Sequence, residues 1–547
     1  MITDILIIGG GGAGARCAIE CNKEVIIASK GLFGKSGCTV MAEGGYNAVI
    51  NPEDSFEKHF EDTIKGGGYI NDEKLVKILV ENSPKELENL ENFGALFDKK
   101  DSKTLAQRPF GGQSFNRTCY SGDRTGHEII AGLMEYLSKK NNIKIMEDIT
   151  AIKLIVKNNI CYGAIFINNI TGHIFPIFSK ATVISTGGAG QIYPITSNPI
   201  QKVGDGFALA YNEGAILKDM EMVQFHPTGM VGTGTLVTEA VRGEGGILYN
   251  KNKERFMEKY DPIKMELSTR DVVAKAIYNE IIEGRGINNE GVYLDVSHLN
   301  EETIKYKLET MYHQFLDVGV DITKEPMVVS PTAHHTMGGI KINEKCETNI
   351  IGLFACGEVA GGIHGANRLG GNALADTQVF GAIAGKSANN HCEIVTEIKY
   401  YNLEKANEYT KDLITNIKKE IVNLKNNKYD DIGNNTENIN NLINHLRNTM
   451  WKYVSIVRTE QGLNKALNEI NILKSKKENL KLNNLGDVLK YFDFKSMLIV
   501  SELIVKCALI RKESRGAHYM ADYPNTLEEF KGNTIAHNGK ITFVPIK

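Results

Sequence analysis

The 547-residue sequence lacks three features that would each direct a search for function. Its nine cysteines include no CxxC pair, which predicts a reducing compartment and argues against an iron–sulfur or zinc site, so we expect no metal. No apolar run approaches the roughly 18 residues that span a bilayer, and the first strand has no basic leader. We therefore expect a cytoplasmic protein with no direct membrane span. The formal net charge of −3 gives no indication of a nucleic-acid partner.

The length of the chain predicts roughly two to four domains. Residues 1–50 predict strand, glycine loop, helix and strand, and further apolar strands are expected at 181–185 and 352–355. One sheet interrupted by a large insertion explains these positions. After about residue 385 glycine becomes sparse, and the spacing of Ile443, Leu446 and Met450 predicts amphipathic helices, with a loop at 426–441. We expect an α/β fold with a cofactor domain at 1–225 and 331–390, an inserted domain at 226–330 and a helical domain at 391–547.

A glycine loop at 9–14 follows the first predicted strand and leads into a helix, which fits the GxGxxG pattern of dinucleotide-binding proteins. Gly9 permits the tight turn, Gly11 lets the backbone approach a pyrophosphate, and Gly14 brings the helix close to the strand. The positive end of the helix dipole then faces the phosphates. The sequence therefore predicts a Rossmann-like nucleotide site at the start of the chain.

The identity of the nucleotide depends on how the second strand ends. Dinucleotide-binding folds usually place an acidic residue there to hold the ribose, whereas this strand ends in Ser29 and Lys30. Further glycine-rich turns follow at 42–45, 185–188 and 356–358. Several backbone contacts spread over the chain suit a long cofactor with an isoalloxazine end. FAD is therefore favoured over NAD.

A series of motifs resembles the flavoprotein subunit of the fumarate reductase and succinate dehydrogenase family, in order and over nearly the whole chain. They are Arg-Pro-Phe-Gly-Gly-Gln at 108–113, Arg-Thr-Cys at 117–119, Asp-Arg-Thr-Gly-His at 123–127, Gly-Asp-Gly at 204–206, Gln-Phe-His-Pro-Thr-Gly at 224–229, Thr-Glu at 238–239, Arg-Gly-Glu-Gly-Gly at 242–246, Thr-Arg-Asp-Val-Val-Ala at 269–274, Pro-Thr-Ala-His-His-Thr-Met-Gly-Gly at 331–339, His-Gly-Ala-Asn-Arg-Leu-Gly-Gly-Asn at 364–372 and Glu-Ser-Arg-Gly-Ala-His at 513–518. The resemblance implies an FAD domain, an inserted capping domain and a C-terminal helical domain.

The resemblance also implies roles for individual residues. Four positions match residues that contact the carboxylates of fumarate or succinate: His226, Thr238, His334 and Arg368. Arg270 matches the proton donor that acts while flavin N5 passes a hydride to the neighbouring carbon, and Glu239 and Arg242 match its proton relay. The positions that match FAD contacts are Gly9, Gly10, Gly11, Gly12, Ala13, Gly14, Ser29, Lys30, Gly44, Gly45, Asp205, Glu358, Ala373 and Leu374.

Two positions depart from the family pattern. Cys38 stands where members that oxidise succinate usually carry the histidine bonded to the flavin, so we expect non-covalent FAD. The loss of that bond should lower the flavin potential and favour fumarate reduction. His335 stands where a tyrosine is common, which leaves open whether His334 or His335 contacts substrate. With its short tail, the chain is most similar to the thiol:fumarate reductase of methanogenic archaea, in which a separate iron–sulfur subunit oxidises coenzyme M and coenzyme B thiols.

Three other functions share parts of this pattern. L-Aspartate oxidase has the motifs at 238–239 and 270–273, but its members usually read Ala-Ser-Asn-Ser where this chain has Gly-Gly-Asn-Ala at 370–373. A succinate dehydrogenase flavoprotein is the second alternative. A non-catalytic flavin-binding scaffold would be expected to lose some of the site residues, and all of them are present.

Overall fold

The computed structural model describes residues 1–397, 403–426 and 438–546. In chain order the strands are β1 (Ile2–Ile8), β2 (Val25–Ala28), β3 (Tyr46–Asn47), β4 (Gln107–Arg108), β5 (Thr118–Cys119), β6 (Ile143–Met146), β7 (Ile149–Lys157), β8 (Ile160–Asn168), β9 (Ile174–Ile184), β10 (Leu217–Lys218), β11 (Val223–Met230), β12 (Ile247–Tyr249), β13 (Val292–Asp295), β14 (Met327–Thr336), β15 (Gly339–Lys341), β16 (Leu353–Ala355), β17 (Ala360–Gly361), β18 (Gly532–His537) and β19 (Lys540–Pro545). The α-helices are α1 (Gly12–Glu20), α2 (Phe56–Gly66), α3 (Glu73–Asn92), α4 (Thr125–Ser138), α5 (Asp205–Asn212), α6 (Glu239–Gly243), α7 (Met257–Tyr260), α8 (Arg270–Glu280), α9 (Glu301–Lys307), α10 (Glu309–Leu316), α11 (Asn372–Glu397), α12 (Leu403–Asn426), α13 (Ile439–Val454), α14 (Glu460–Lys477) and α15 (Leu485–Ile510).

The central sheet has the order β6-β2-β1-β9-β8-β7, with β16 also paired to β9. Strands β6, β2, β1, β9 and β16 run parallel, and β8 and β7 are antiparallel additions at one edge. Because helices such as α1 and α11 pack on this sheet, the second half of β1, residues 5–8, is a continuous buried apolar run. The predicted strand–turn–helix–strand opening and the later strands near 181 and 353 are confirmed.

The inserted region forms a second layer with its own core. Strands β11, β14, β13 and β12 make an antiparallel sheet, and Val241, Ile277, Leu294 and Val329 are fully buried between it and the surrounding helices. This sheet uses β11 from Val223 and β14 to Thr336, so it crosses the proposed boundaries at 226 and 330. Those boundaries stay a prediction.

The C-terminal region contains the predicted helices, α12 to α15. Ile443, Leu446 and Met450 lie on the buried face of α13. Of the loop expected at 426–441, residue 426 ends α12 and residues 439–441 begin α13, so the loop prediction is wrong at both edges, and residues 427–437 are outside the described part of the chain. Within the described ranges, no helix is both long and apolar enough to cross a membrane.

The expectation of helices up to residue 547 was wrong at the chain's end. Strands β18 and β19 form a hairpin, and β18 pairs antiparallel with β10, so the last residues join a five-stranded sheet with β15 and β17. Asn538 (φ 48°) and Gly539 (φ 78°) form the turn. An Asn-Gly pair with positive φ at both positions is a strong hairpin signal, which the helical prediction overlooked.

Candidate active site

The glycine loop lies at the carboxyl ends of β1 and β9 and bends as its spacing predicts. Gly9 has a φ of 113°, and a Cβ there would lie 2.4 Å from the carbonyl oxygen of Ser185. A Cβ on Gly14 would lie 2.0 Å from the carbonyl oxygen of Gly9, so the close approach of helix and strand requires glycine. A Cβ on Gly11 would meet only Thr39, at 3.8 Å, because this residue faces a cavity.

Two adjacent cavities share part of their lining, and one of them borders this loop. The smaller, about 120 Å³, is lined by the glycine loop and by Ser29, Lys30, Asp205 and Glu358. The larger cavity, about 540 Å³, is lined by five of the predicted FAD contacts: Gly44, Gly45, Glu358, Ala373 and Leu374. The shared lining residues are Cys38, Thr39, Glu358 and Thr377. The two cavities thus form one elongated space, and of the predicted FAD contacts only Gly14 lies behind its wall.

This space has the chemistry that FAD requires. The N-cap residue of α1, Gly11, makes no side-chain capping bond, and of the first-turn N–H groups that of Gly12 donates to Thr39 Oγ1 over 3.1 Å. The remaining N–H groups of this turn can receive a pyrophosphate. The hydroxyl of Thr186 lines the smaller cavity and, among the described residues, has no hydrogen-bond partner although it is buried. The residues of the smaller cavity therefore fit the phosphate-bearing part of FAD.

Six predicted site residues converge on the larger cavity from different elements of the fold. They are His226 on β11, Thr238 and Glu239 at the start of α6, Arg270 at the start of α8, His334 on β14 and Arg368 in the loop before α11. Arg242 does not line the cavity; it is fully buried behind Glu239, with 4.0 Å between its Nη2 and Glu239 Oε1.

Arg270 is bound to Glu239 through two nitrogens. Its Nε donates to Glu239 Oε2 over 2.8 Å, and its Nη2 lies 2.7 Å from the same oxygen. The backbone N–H of Gly111 donates to Glu239 Oε1 over 2.8 Å. Burial raises the pKa of the Glu239 carboxyl, but Arg270 and Arg242 outweigh it and hold the pKa at about 2. Glu239 is therefore a carboxylate at any physiological pH.

Gln224 joins two buried arginines of the cavity wall, a role that no sequence motif disclosed. Its Oε1 accepts from Arg270 Nη1 over 3.2 Å and from Arg368 Nη2 over 3.0 Å. Its Nε2 donates to Asn367 Oδ1 and to the carbonyl oxygen of Arg368. One amide thus fixes both guanidinium groups, although they lie far apart in sequence.

Arg368 is a buried cation whose charge is not neutralised by a bonded carboxylate. Among the described residues its Nε has no hydrogen-bond partner and no acidic side chain forms an ion pair with it. Burial, reinforced by repulsion from Arg270, lowers its pKa to about 9. A carboxylate of a bound ligand would supply the missing partner in bidentate geometry.

His226 and His334 lie side by side at the cavity, with ring centroids 5.2 Å apart. Burial, reinforced by Arg270, holds the pKa of each ring well below its usual value, so both are neutral hydrogen-bonding groups. The Nδ1 of His334 lies 2.9 Å from the hydroxyl of Ser197, and the carbonyl oxygen of His334 accepts from Asn198. Ser197 therefore fixes the orientation of the His334 ring.

His335 points away from that pair. Its Nδ1 lies 3.6 Å from Glu358, and its ring meets His364 edge-on at a centroid distance of 5.3 Å. His334 therefore lies beside His226 and Arg270, whereas His335 lies beside Glu358 at the wall that the two cavities share.

Cys38 lies at that shared wall beside the ion pair of Lys202 and Glu358. Burial raises the pKa of its thiol to about 11, although nearby Lys202 opposes this.

Glu43, like Gln224, is a residue of the site to which the sequence assigned no role. It lines the larger cavity, and within the described chain its Oε2 has no hydrogen-bond partner. Burial and Asp123 raise the pKa of its carboxyl well above the usual value.

Comparison with known proteins identifies the family. The FAD binding domain family matches residues 4–374, and the family described as fumarate reductase flavoprotein C-term matches residues 443–544. A fumarate reductase (CoM/CoB) subunit of Methanothermobacter marburgensis is 50% identical over 542 residues, covering 96% of each chain. The chain belongs to the fumarate reductase and succinate dehydrogenase flavoprotein family.

Other relatives agree with this membership. An uncharacterized FAD-dependent oxidoreductase of Methanocaldococcus jannaschii is 68% identical over 544 residues, covering 99% of this chain and 98% of that one. A chain of Escherichia coli quinol fumarate reductase superposes with a TM-score of 0.93 at 32% identity, covering 100% of this chain and 97% of that one. The predicted family, α/β fold, FAD cofactor and class of oxidoreductase acting on CH–CH groups are confirmed.

Proposed function

We propose that this flavoprotein reduces fumarate to succinate. The proposal rests on two guanidinium groups, those of Arg270 and Arg368, that lie together at one wall of the larger cavity. Among the described residues, only Glu239 forms an ion pair with either of them. A buried site with excess positive charge selects an anion, and neutral His226 and His334 beside it add hydrogen-bond donors. A small planar dicarboxylate satisfies all of these groups.

Substrate binding follows from these positions. Arg368 would grip one carboxylate of fumarate, with His334 beside it, and Thr238 and His226 would bind the other end. Thr238 already orders this side of the site, since its hydroxyl accepts from the backbone N–H of Ala240 at the start of α6. Clamping both ends holds the alkene carbons in one fixed position.

Proton delivery is assigned to Arg270, with Glu239 and Arg242 as its relay. The reduction adds a hydride and a proton across one C=C bond; bound reduced FAD would supply the hydride. Arg270 would release a proton to the adjacent carbon, and the Glu239 carboxylate, 2.7 Å away, would relay to it a replacement proton accepted from Arg242, which solvent then reprotonates. An isolated neutral arginine is costly, so the two transfers must be closely coupled. Arg242 keeps Glu239 ionised and ready to receive a proton.

The hydrogen bond between Ser197 and His334 allows a first test of the proposed substrate binding. Replacing Ser197 by Ala should raise the KM for fumarate about tenfold with a smaller change in kcat, because one hydrogen bond that orients neutral His334 is lost. Ser197→Thr keeps the hydroxyl and should behave like the wild type. Steady-state oxidation of reduced viologen measures both constants; an unchanged KM in Ser197→Ala would contradict the role.

FAD is proposed to be held without a covalent bond. Attack on a flavin requires a thiolate, and the pKa of about 11 keeps Cys38 protonated at neutral pH. Acid precipitation of the purified protein should therefore leave yellow flavin in the supernatant. Cys38→Ser should give the same result. Flavin retained in the pellet of the wild type and released from Cys38→Ser would show a thioether bond.

Electrons are proposed to come from a separate iron–sulfur protein. A relative at 50% identity is named as part of a CoM/CoB fumarate reductase, which supports a donor that oxidises coenzyme M and coenzyme B thiols. Copurification of the untagged partner with this chain, and fumarate-dependent oxidation of the two thiols by the pair but not by this chain alone, is the expected result.

Three activity assays separate the remaining alternatives. The purified chain should oxidise reduced viologen when fumarate is added. L-Aspartate oxidase activity would instead appear as aspartate-dependent formation of hydrogen peroxide under oxygen. A succinate dehydrogenase would reduce an acceptor dye with succinate faster than it reduces fumarate. The Gly-Gly-Asn-Ala segment at 370–373 and the Cys38 position favour fumarate reduction.

A further inference from the structure

Two charged residues of the smaller cavity, Lys30 and Asp205, are connected by ion pairs to a residue of the C-terminal helices. Lys30, at the end of β2, places its Nζ 3.2 Å from Asp205 Oδ2 and 2.6 Å from Asp493 Oδ1. Lys30 and Asp205 line the smaller cavity, whereas Asp493 belongs to α15 and is 463 residues away in sequence. The three side chains are only 14–22% exposed, so the ion pairs are shielded from solvent.

This arrangement bears on the missing acidic residue at the end of β2. Dinucleotide-binding folds usually place a carboxylate there to accept hydrogen bonds from ribose hydroxyls. Here the position is Lys30, yet two carboxylates converge on its ammonium group, which leaves one net negative charge at the same end of the cavity. The acceptor that the second strand lacks is thus available from Asp205 of α5, and Asp493 of α15 holds the Lys30 beside it.

We propose that Asp493 is a cofactor-positioning residue: through Lys30 and Asp205 it locks α15 over the adenosine end of FAD and slows its release. A cofactor without a covalent bond depends on such contacts for retention, so this inference rests on the non-covalent attachment proposed above. On the other side of the bridge lies a cavity of about 260 Å³, lined by Asp205 and Asp493 and by residues of α12. Breaking the bridge would join this space to the nucleotide site.

The test measures how fast FAD leaves the holoenzyme, from the rise of free-flavin fluorescence after dilution. Asp493→Asn should release FAD at least about tenfold faster than the wild type, which corresponds to about 1.4 kcal/mol. Glu502→Gln is the matched control, because Glu502 lies on the same helix, is 20% exposed and pairs with Lys474 and Lys506 of the C-terminal helices. Its FAD should leave at the wild-type rate. Asp493→Glu keeps the carboxylate and should restore slow release.

A double variant tests whether Asp493 acts through Lys30. If Asp493 acts by holding Lys30, then Lys30→Met combined with Asp493→Asn should release FAD no faster than Lys30→Met alone. Wild-type release from Asp493→Asn, or equal acceleration in Glu502→Gln, would overturn the lock. Flavin held in the acid pellet would instead overturn non-covalent attachment, and the lock with it. Should Asp493→Asn not fold, wild-type release from Lys30→Met would overturn the proposal.

Discussion

Arg270→Ala should lower fumarate reduction by well over about 10²-fold while FAD stays bound. The side chain is a cavity-facing guanidinium to which the Glu239 carboxylate can relay a replacement proton, and removal of a general acid typically costs about 10²–10⁴-fold in rate. The effect should fall mainly on kcat, because Arg368 and the histidines still bind the substrate. Oxidation of reduced viologen in the presence of fumarate measures the rate.

The control for this variant is Arg285→Ala. Arg285 is also an arginine of the inserted region, but it pairs with Glu280 and Glu283 away from the cavity. Its activity should stay within about twofold of the wild type. An Arg270→Ala enzyme that reduces fumarate at a tenth of the wild-type rate or faster would show that the proton comes from another group.

Arg368→Met should raise the KM for fumarate and lower kcat/KM by about 10²-fold or more. Removing one partner from a buried charged hydrogen-bonded pair costs about 2–5 kcal/mol, and each 1.4 kcal/mol is tenfold. Arg368→Lys should recover only part of this loss, because an ammonium group cannot bind a carboxylate through two parallel hydrogen bonds. Titration with malonate, followed by the flavin absorbance, separates binding from turnover.

The malonate titration also shows whether a loss of activity in Arg368→Met comes from weaker dicarboxylate binding. Arg368→Met should bind FAD normally and show no absorbance change with malonate at concentrations that saturate the wild type. Arg285→Met makes the same substitution at the arginine outside the cavity and should leave both readouts unchanged. A normal malonate affinity in Arg368→Met would exclude this residue as the carboxylate-binding group.

The sequence predicted the features that depend on local order. The glycine spacing at 9–14 determines the backbone path, and the apolar run of β1 requires a buried parallel strand, so both were readable from the chain alone. The Asn538-Gly539 turn was equally local and was simply overlooked. The substrate-binding and cofactor-binding roles of single residues came from motif resemblance. A lone buried histidine such as His226 has no local sequence signal for ligand binding.

Other parts of the site depend on contacts that no local pattern encodes. Gln224 holds Arg270 and Arg368 together only because β11, α8 and the loop before α11 meet in three dimensions. Asp493 reaches Lys30 across 463 residues of sequence. Such pairs have no fixed spacing, so burial and distance had to be known before either residue could be assigned a role.

The strand pairing of the C-terminal hairpin has a consequence for how the enzyme is made. Strand β18 completes the sheet that contains β10, and Ala517 donates its N–H to the carbonyl oxygen of Ala366, two residues before Arg368. A ribosome must therefore translate past both segments before Arg368 gains its final support. A chain that ends before Ala517 lacks the hydrogen bond to Ala366, so we expect dicarboxylate binding to reach full strength only after synthesis has passed this segment.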